Sequence, residues 1–292
     1  MEERKRKFLF ILNPIAGGRN KEKVPTQILN FCAQSSCLYR VYETTGKNDS
    51  GKIKEIFEET QPEALIAIGG DGTVNLVGNL LVGTPIPLGI IPLGSTNGLA
   101  KDLGIPTSIP DAFGVIRKFR PQTIDVLKIN GRNCFHMSDF GFNARVCHRF
   151  AESIYRGRIS YIWYGLREFF TFKSFPYQIK TLRDFYEGEA FMISIANANK
   201  FGAMPLNPLE QFGDGFFEIS ILKPFPRIAA PYIYYHLTRN HIFKSPYYTM
   251  IQCKRATIHN VVQELFHIDG EPVKMEEKVE VEINPQALHI LV

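Results

Sequence analysis

The sequence predicts an α/β domain followed by a mainly β domain, and three observations support this fold class. Over the first 125 residues, short apolar runs alternate with helix-like stretches, which is typical of βαβ units on a parallel sheet. After Asp125 the chain changes to short alternating segments rich in aromatic residues, which suit antiparallel strands. Apolar residues make up 45% and charged residues 22% of the chain, as expected of a folded globular protein.

In the first part, four apolar segments predict strands and the stretches between them predict helices. The predicted strands cover residues 8–12, 39–43, 64–68 and 88–91. The predicted helices cover residues 21–35, 52–60, 74–81 and 96–103. The segment 64–68 is a continuous apolar run that ends in Gly69-Gly70, which is typical of a buried central strand.

In the second part, short segments separated by turn residues predict a β-sandwich. The predicted strands cover residues 126–129, 134–139, 177–182, 189–197, 215–222, 255–259, 266–269 and 279–283. Two predicted helices, 159–170 and 227–238, interrupt them.

We therefore expect two domains, an α/β domain over residues 1–125 and a β-rich domain over residues 126–292. The sequence contains no internal repeat, low-complexity tract or linker. For this reason we expect the domains to pack directly and to leave a cleft between them.

The net charge of +5 is too small for the field of a dedicated nucleic-acid-binding protein, and no nucleic-acid-binding motif accompanies it. The charges are instead grouped along the chain. Residues 145–183 contain eight basic residues against Glu152 and Glu168, and residues 223–255 contain six basic residues and no acidic one. Residues 264–282 are acidic.

Five cysteines without a CxxC pair indicate reduced thiols, so we expect a cytoplasmic protein. The basic start of the chain does not lead into a signal peptide, because only five apolar residues precede Asn13-Pro14. Residues 72–100 carry no charge, but their prolines, glycines and asparagines exclude a membrane-spanning helix.

Three glycine-bearing turns each follow a predicted strand and precede a predicted helix. The first turn covers residues 13–18, the second residues 69–73 and the third residues 92–98. A helix N-terminus offers unpaired amides and partial positive charge, and glycine lets the backbone close on phosphate oxygens. In a parallel sheet all three turns fall at the carboxyl edge of the strands, where ligands of open α/β sheets bind. Together the turns predict a phosphate site.

Asp71 is a carboxylate within a turn that is otherwise suited to anions. One interpretation is a structural role as a helix N-cap. The other is a metal ligand, because Mg²⁺ binds through one or two carboxylates together with substrate phosphates. We favour a nucleotide bound with magnesium.

The string Gly69-Gly70-Asp71-Gly72-Thr73 resembles the signature shared by NAD kinases, diacylglycerol kinases and sphingosine kinases. Its flanks resemble the lipid kinases more than the NAD kinases. These flanks are Asn13-Pro14 with the following glycines, residues 92–106, Ile124-Asp125-Val126 and Asp269-Gly270-Glu271. The resemblance implies a Rossmann-like α/β domain followed by a β-sandwich, and an ATP-dependent lipid kinase of the diacylglycerol kinase type.

The resemblance also implies which residues bind ATP. Positions that contact ATP in the family are matched by Asn13, Gly17, Gly18 and Thr45. The backbone that would hold the phosphates belongs to Gly69, Gly70, Gly72 and Thr73. The third nucleotide-binding loop is matched by Ser95, Thr96 and Asn97.

Two carboxylates carry the catalytic roles that the resemblance implies. Asp71 would act at the phosphates through Mg²⁺, and Glu271 matches the general base for the lipid hydroxyl. In some members the aspartate is assigned as the base, so both assignments stay open. Asp125 matches an acidic position linked to the metal or its water network. Because a base must lie within ~3 Å of the hydroxyl that it deprotonates, we expect Asp71 and Glu271 to converge.

Two positions depart from the family pattern. The acidic pair that helps to hold an accessory magnesium in some bacterial diacylglycerol kinases is here Gly213-Asp214, so the resemblance does not extend to that accessory site. Sphingosine kinases tend to carry an acid where Arg145 follows Gly141-Phe142-Asn143-Ala144. A cation there would repel the ammonium group of a sphingoid base, which favours a neutral, diacylglycerol-like lipid.

Aromatic and basic residues are interspersed over residues 155–177 and 232–248. This composition suits peripheral contact with an anionic membrane surface, and the alternative is core helices with a solvated charged face. Two other functions stay open at this point. One is an NAD kinase relative, and the other is a non-catalytic lipid-binding protein derived from a kinase.

Overall fold

The structure, a computed structural model, describes residues 5–16, 23–153, 158–197, 213–239 and 241–292. The chain divides into two units. The first unit comprises Met1–Ile124 and Gln286–Val292, and the second comprises Asp125–Pro285.

The first unit is built on a parallel sheet with the strand order β2-β1-β3-β4. Its strands are β1 (Lys7–Leu12), β2 (Leu38–Glu43), β3 (Ala64–Gly69) and β4 (Leu88–Pro92). Strand β1 pairs in parallel with β2 and β3, and β3 pairs in parallel with β4. Every residue of β3 and β4 is buried, as expected of parallel strands covered on both faces.

Over its described residues, the first unit contains five helices. They are α1 (Val24–Ser35), α2 (Asp49–Thr60), α3 (Asp71–Leu81), α4 (Gly98–Asp102) and α5 (Ile109–Lys118). The sequence pattern did not predict α5, which packs against β4 and buries Ile109, Phe113 and Ile116 on one face.

The second unit is mainly β. Its strands are β5 (Pro121–Ile129), β6 (Arg132–Cys134), β7 (Met137–Gly141), β8 (Phe175–Thr181), β9 (Phe185–Ala190), β10 (Met192–Ala196), β11 (Phe217–Leu222), β12 (Tyr248–Cys253), β13 (Arg255–His259), β14 (Phe266–Ile268), β15 (Glu271–Pro272) and β16 (Lys278–Leu291). Strand β5 begins in the first unit, and β16 ends in it.

Two sheets enclose the core of the second unit. One has the order β12-β11-β10-β7-β14-β15, and the other runs β16-β13-β8-β9 with β5 beside β16 and β6 beside β5. One buried cluster joins both sheets, with Ile179 and Ile258 from the second sheet and Phe140, Ile219 and Phe266 from the first. The predicted fold class, an α/β domain followed by a β-sandwich domain, is confirmed.

Helices cover part of this sandwich. They are α6 (Phe142–Glu152), α7 (Arg158–Thr171) and α8 (Ala230–Thr238), with short 3₁₀ turns at Arg227–Ala229 and Ile242–Lys244. The sequence predicted α7 and α8 but not α6.

Several predicted strands of this unit differ from the observed ones. The predicted strand 134–139 is two strands, β6 and β7, because the backbone between them bonds to Asp269 instead of to a neighbouring strand. The predicted strand 189–197 is also two strands, β9 and β10, which belong to different sheets. Strand β12 was not predicted.

Strand β16 is longer than the predicted strand 279–283. Its first part pairs with β13 in the second unit, and its last part reaches β4, where Ile290 pairs with Leu88. The C-terminal segment Gln286–Val292 therefore belongs to the first unit. Within the described ranges, no helix is both long and apolar enough to cross a bilayer.

A glycine at the end of β7 gives a stability prediction. Gly141 has a φ of +84°, and a Cβ there would lie 2.8 Å from the Phe191 carbonyl oxygen and 2.4 Å from the Phe175 ring. We expect Gly141→Ala to lower the free energy of unfolding by more than about 2 kcal/mol in urea titrations.

The matched control is Gly114→Ala in helix α5, where nothing lies within 4 Å of the added Cβ and φ is not positive. We expect this change to be neutral or to stabilise by about 0.5–1 kcal/mol, because alanine is the better helix former. Equal effects of the two substitutions would contradict the prediction.

Candidate functional site

The three glycine-bearing turns lie along one edge of the first unit. They follow β1, β3 and β4, which are neighbours in the sheet and parallel to one another. The structure describes the first turn from Asn13 to Ala16, whereas Gly17 and Gly18 lie outside the described residues. The second and third turns are described in full.

A side-chain hydrogen bond joins the first turn to the second. The Asn13 amide Nδ2 donates to Thr73 Oγ1 at 3.3 Å, and Asn13 Oδ1 accepts the backbone amide of Ile15 at 3.1 Å. Thr73 is buried at the start of α3, with its hydroxyl directly over Gly69. A Cβ on Gly69 would lie 2.2 Å from Thr73 Oγ1, so glycine is required under this contact.

The second and third turns touch through their backbones. A Cβ built on Gly94 would lie only 2.6 Å from the Gly70 Cα, and one on Gly70 would lie 3.2 Å from the Gly94 Cα. Any larger residue at Gly94 would push the turns apart. The glycines here therefore allow close approach of two chain segments.

Asp71 forms the polar link between the same two turns. Its Oδ2 accepts the backbone amide of Asn97 at 3.0 Å, and its Oδ1 accepts that of Gly98 at 2.8 Å. These amides open helix α4, so the carboxylate sits at the positive end of that helix while belonging to the first turn of α3. The N-termini of α3 and α4 are thus held together.

The predicted residues of the third turn have different exposures. Ser95 and Thr96 are exposed, whereas Asn97 is buried. The Asn97 side chain closes its own turn, since Oδ1 accepts the Gly94 amide at 2.8 Å and Nδ2 donates to the Gly94 carbonyl at 2.7 Å. Asn97 shapes the loop, and Ser95 and Thr96 form its surface.

Thr45 lies in a fourth turn at this edge, after β2. Its amide and hydroxyl both donate to Asp49 Oδ1, and Gly46 donates its amide to Asp49 Oδ2. Burial alone would raise the pKa of Asp49, but the amides of Thr45 and Gly46 with the Tyr42 hydroxyl lower it to about 2. The sequence pattern did not indicate Asp49. An acidic residue at the start of a helix is a recognisable signal, but the predicted helix begins at residue 52, whereas the observed helix begins at Asp49.

Glu271 begins the short strand β15 in the second unit. Ile268 and Glu271 are paired across a two-residue turn formed by Asp269 and Gly270, which both have positive φ. Such a turn matches the twist of a hairpin, and Asp-Gly is a preferred sequence for it. The Glu271 side chain is exposed.

Asp269 fixes this hairpin to the segment between β6 and β7. Its carboxylate accepts the backbone amides of Phe135, His136 and Met137 at 2.8, 2.8 and 3.0 Å. The Asp269 amide returns a bond to the Met137 carbonyl at 2.8 Å. Both the side chain and the backbone amide of Asp269 therefore anchor the backbone that leads to Glu271.

A buried polar network also contacts this hairpin. The Gly270 amide donates to His267 Nδ1 at 3.1 Å, and His267 Nε2 lies 3.0 Å from Asp139 Oδ2. Asn143 donates to Asp139 at 2.7 Å and accepts the Tyr161 hydroxyl at 2.9 Å. No local pattern could have revealed this network, because Asp139 and His267 are 128 positions apart.

His267 carries a shifted pKa in this network. Burial would lower this pKa, but the hydrogen bonds and charges of Asp139 and Cys147 raise it. The Gly270 amide points at Nδ1, so Nδ1 is the acceptor in this network and Nε2 carries the proton that is donated to Asp139.

Asp125 is fully buried in the second unit. Its Oδ2 accepts the Gly215 amide at 2.7 Å, and its backbone carbonyl accepts the Asn197 side chain. The carboxylate thus orders the turn before β11. Asp214 in that turn is exposed and caps the Phe216 amide at 2.9 Å.

Arg145 is neutralised by a carboxylate. Its Nε and a terminal nitrogen lie 2.6 and 2.9 Å from the two oxygens of Glu264, which is buried. The pair has little net charge. Arg145 is therefore not a lone cation, and it does not exclude a sphingoid base by charge repulsion.

The described residues contain no group of three or more His, Cys, Asp or Glu side chains placed to hold a metal ion. A magnesium site that relies on one or two protein carboxylates and on substrate phosphates does not need such a group. A separate hollow of about 1400 Å³ lies at the opposite edge of the first unit, between Arg6, Ser36 and Pro87. It is remote from the glycine turns, because it borders the amino ends of the strands.

Comparison with known proteins relates both parts of the chain to lipid kinases. The family model described as diacylglycerol kinase catalytic domain matches residues 7–129. The family model described as YegS C-terminal NAD kinase beta sandwich-like domain matches residues 137–292.

Relatives and solved structures agree with these matches. "Probable lipid kinase YegS" of Salmonella newport is 27% identical over 289 residues, which covers 96% of this chain and 94% of the relative. The protein of the same name from Shigella boydii serotype 18 is 28% identical over 292 residues, with the same coverage. A crystal structure of a diacylglycerol kinase from Bacillus anthracis has the same fold, with a TM-score of 0.75 and 22% identity, over 99% of this chain and 98% of that chain.

The buried His267 network predicts a loss of stability when the imidazole is removed. His267→Ala would leave the Gly270 amide and the buried Asp139 carboxylate without this partner. A buried polar group that loses its partner costs about 1–3 kcal/mol, and more when it is charged. In urea unfolding at neutral pH, we expect His267→Ala to lower the free energy of unfolding by about 2 kcal/mol or more.

The control is His259→Ala on β13, where a histidine of the same unit is only partly buried. This change should cost clearly less stability than His267→Ala. Equal losses in the two variants would contradict the role of the His267 network.

Proposed function

Because the chain belongs to the YegS-like, diacylglycerol kinase-like family of lipid kinases, we propose that it transfers the γ-phosphate of ATP to a hydroxyl of a neutral lipid. Membership of the family makes the protein a phosphotransferase that acts on a lipid. ATP as the donor and a diacylglycerol-like acceptor are the proposal.

One observation carries the proposal, namely the convergence of the glycine turns on the contact between Asp71 and helix α4. Asp71 draws the N-termini of α3 and α4 together, and Gly70 and Gly94 allow their backbones to touch. Adjacent helix N-termini concentrate amide donors and partial positive charge at one place. This arrangement suits the phosphates of a nucleotide.

In the proposed reaction, the backbone of Gly69, Gly70, Gly72 and Thr73 holds the phosphates, and Asn13, Ser95, Thr96 and Asn97 shape the turns around them. Thr45 is the further described residue that we propose to bind the nucleotide, and for Gly17 and Gly18, outside the described residues, the same role is carried over from the family resemblance. Preorganised amides stabilise charge on the transferred phosphoryl group without moving during the reaction. The hydrogen bonds of Asn13 and Asn97 supply that preorganisation.

Magnesium fits this donor set as an ion shared with the substrate. Asp71 is a protein carboxylate in the proposed phosphate-binding edge. Asp125 is fully buried and accepts the Gly215 amide, so its proposed role at the metal or its water shell rests on the family resemblance alone. When bound, Mg²⁺ would neutralise charge on the phosphates.

We assign Glu271 as the general base and Asp71 as a positioning and metal-binding residue. Both Asp71 oxygens accept amides that hold the third turn in place, so a proton accepted by Asp71 in each turnover would weaken that turn. Glu271 is exposed, and its backbone is anchored through Asp269 and Gly270. It can exchange protons while its position is kept.

The two parts of the chain divide the work in this proposal. Residues 1–125 bind the nucleotide, and residues 126–292 bind the lipid. We propose a cytoplasmic protein that meets its substrate by peripheral contact with an anionic membrane. The pairing of Arg145 with Glu264 leaves the choice between a diacylglycerol and a sphingoid base to the substrate assay.

The test of the proposed function is transfer of label from radiolabelled ATP to lipid. We expect magnesium-dependent label in the organic phase with diacylglycerol in detergent micelles, and the same assay with sphingosine decides which lipid class is preferred. Label in NADP instead of lipid would favour the NAD kinase alternative. Lipid binding without any transfer would favour a non-catalytic protein, and either result would overturn the proposal.

Two substitutions separate the roles of the carboxylates. Glu271→Gln should reduce kcat by about 10²–10⁴, the usual worth of a general base, and should leave nucleotide binding and thermal stability close to wild type. Asp71→Asn should reduce both kcat and nucleotide affinity, because an amide nitrogen would face a backbone N–H of α4.

Glu277→Gln is the matched control for Glu271→Gln, since it removes an exposed carboxylate from the same acidic segment. Its kcat and KM should equal those of the wild type. A Glu271→Gln enzyme of wild-type rate would show that the base is another residue, and an unaltered nucleotide affinity in Asp71→Asn would contradict its positioning role.

A further inference from the structure

Helix α7 presents apolar side chains to solvent and buries its only acidic residue. Ile162, Trp163, Leu166 and Phe170 are exposed, Phe170 to 72% of its surface. Their spacing places all four within about 100° of the helix circumference, on one face. Glu168 is only 1% exposed and pairs with Arg149 of α6. We call these four residues the apolar face of α7.

Helix α8 and the 3₁₀ turn before it repeat this arrangement. Ile233 and Leu237 pack inward against Ile242 and Tyr248. On the other side Ile228, Tyr232 and Tyr235 are exposed, Ile228 to 89% of its surface. We call these three residues the outer face of α8. They recur at intervals of four and three positions, which puts them on one side of the helix.

The 3₁₀ turn before α8 contacts the C-terminal end of α7, next to both faces. The Arg227 guanidinium lies 5.0 Å from the centre of the Phe169 ring and donates to the carbonyl oxygen of Phe172. Phe170 directly follows Phe169, and Ile228 directly follows Arg227. The most exposed residue of each face therefore flanks the point where α7 meets the 3₁₀ turn.

The segments that carry these faces are rich in basic residues and poor in acidic ones. Across residues 158–183 and 223–255 the sequence contains a single carboxylate, Glu168, and that carboxylate is buried. Exposed aromatic rings are paired with cations. Arg167 lies 5.8 Å from the Trp163 ring, Arg239 lies 5.8 Å from Tyr235, and Lys244 lies 5.9 Å from Phe243.

We infer that the apolar face of α7 and the outer face of α8 form one docking surface for an anionic lipid bilayer. Aliphatic and phenylalanine side chains enter the acyl boundary, tryptophan and tyrosine lie at the headgroup level, and the adjacent cations contact lipid phosphates. This inference rests on the proposed function, because a lipid substrate is the reason why the protein must approach a bilayer.

Charge complementarity selects a bilayer over a second copy of this chain. A symmetric dimer through this surface would place the same cations against each other, and residues 158–183 and 223–255 contain no exposed carboxylate to pair with them. An anionic membrane supplies both the apolar phase and the opposite charge.

The test uses Trp163, which is the single tryptophan of the chain and lies on the proposed surface. Full-length protein is titrated, without ATP, with vesicles of phosphatidylcholine alone or mixed with phosphatidylglycerol. We expect a blue shift of tryptophan emission and co-sedimentation with the mixed vesicles, both weakened by salt, and quenching by lipids brominated near the headgroup.

Substitutions define which contacts carry the binding. Phe170→Asp and Ile228→Asp should each weaken partitioning to the mixed vesicles by about tenfold or more, and Arg239→Gln by about fivefold, the factor that corresponds to about 1 kcal/mol per cation. The matched controls are Leu29→Asp on α1 and Lys118→Gln on α5, which are exposed at the other unit and should bind as the wild type does.

Three results would overturn the inference. The first is co-sedimentation without any change in Trp163 emission, and the second is wild-type partitioning by both Phe170→Asp and Ile228→Asp. The third is a dimer of the free protein that Phe170→Asp converts to a monomer, as seen by light scattering. Phosphate transfer to diacylglycerol in micelles separates the two proposals. If the enzyme is active in micelles while these variants bind vesicles as the wild type does, only the docking inference is contradicted.

Discussion

The carboxylate of Asp71 accepts the first two amides of helix α4, and the arrangement of the glycine turns depends on this contact. It ties the third turn to the second, together with the hydrogen bond from the Leu93 amide to the Gly69 carbonyl at 2.7 Å. The carboxylate also offsets the positive ends of two helices brought side by side. Because its oxygens accept backbone amides, the residue orders this edge of the first unit through its own contacts. The close approach of Gly70 and Gly94 is the steric counterpart of the same constraint.

The second unit places its candidate base by similar means. Asp269 collects three backbone amides, and His267 accepts a fourth from Gly270, so the turn that leads to Glu271 is held by polar contacts on both sides. The His267 and Asp139 pair is buried, and breaking a buried pair leaves an uncompensated charge, which is costly. Such a network favours one conformation of the hairpin. The backbone that carries the exposed Glu271 side chain is thereby held in one position.

Helix α7 connects this rigid unit to the physical state of the substrate. A helix of a soluble protein usually buries its apolar side, whereas α7 buries Glu168 and exposes Trp163, Leu166 and Phe170. Exposed apolar area of this kind is unfavourable in water and becomes favourable only against a partner. A kinase of water-insoluble lipids has such a partner in every catalytic cycle, so the surface and the proposed chemistry explain each other.

The sequence alone was sufficient for the fold class, for most strands of the first unit and for the three glycine turns, because strand periodicity and glycine conformation act over a few residues. It also singled out Asp71 and Glu271, through a family resemblance. Tertiary structure decided the rest. The partners of Asp71 lie 26 and 27 positions away, Asp139 and His267 are 128 positions apart, and β16 returns to β4 of the first unit. Such contacts arise when distant segments pack together, and no local pattern encodes which polar groups will then meet.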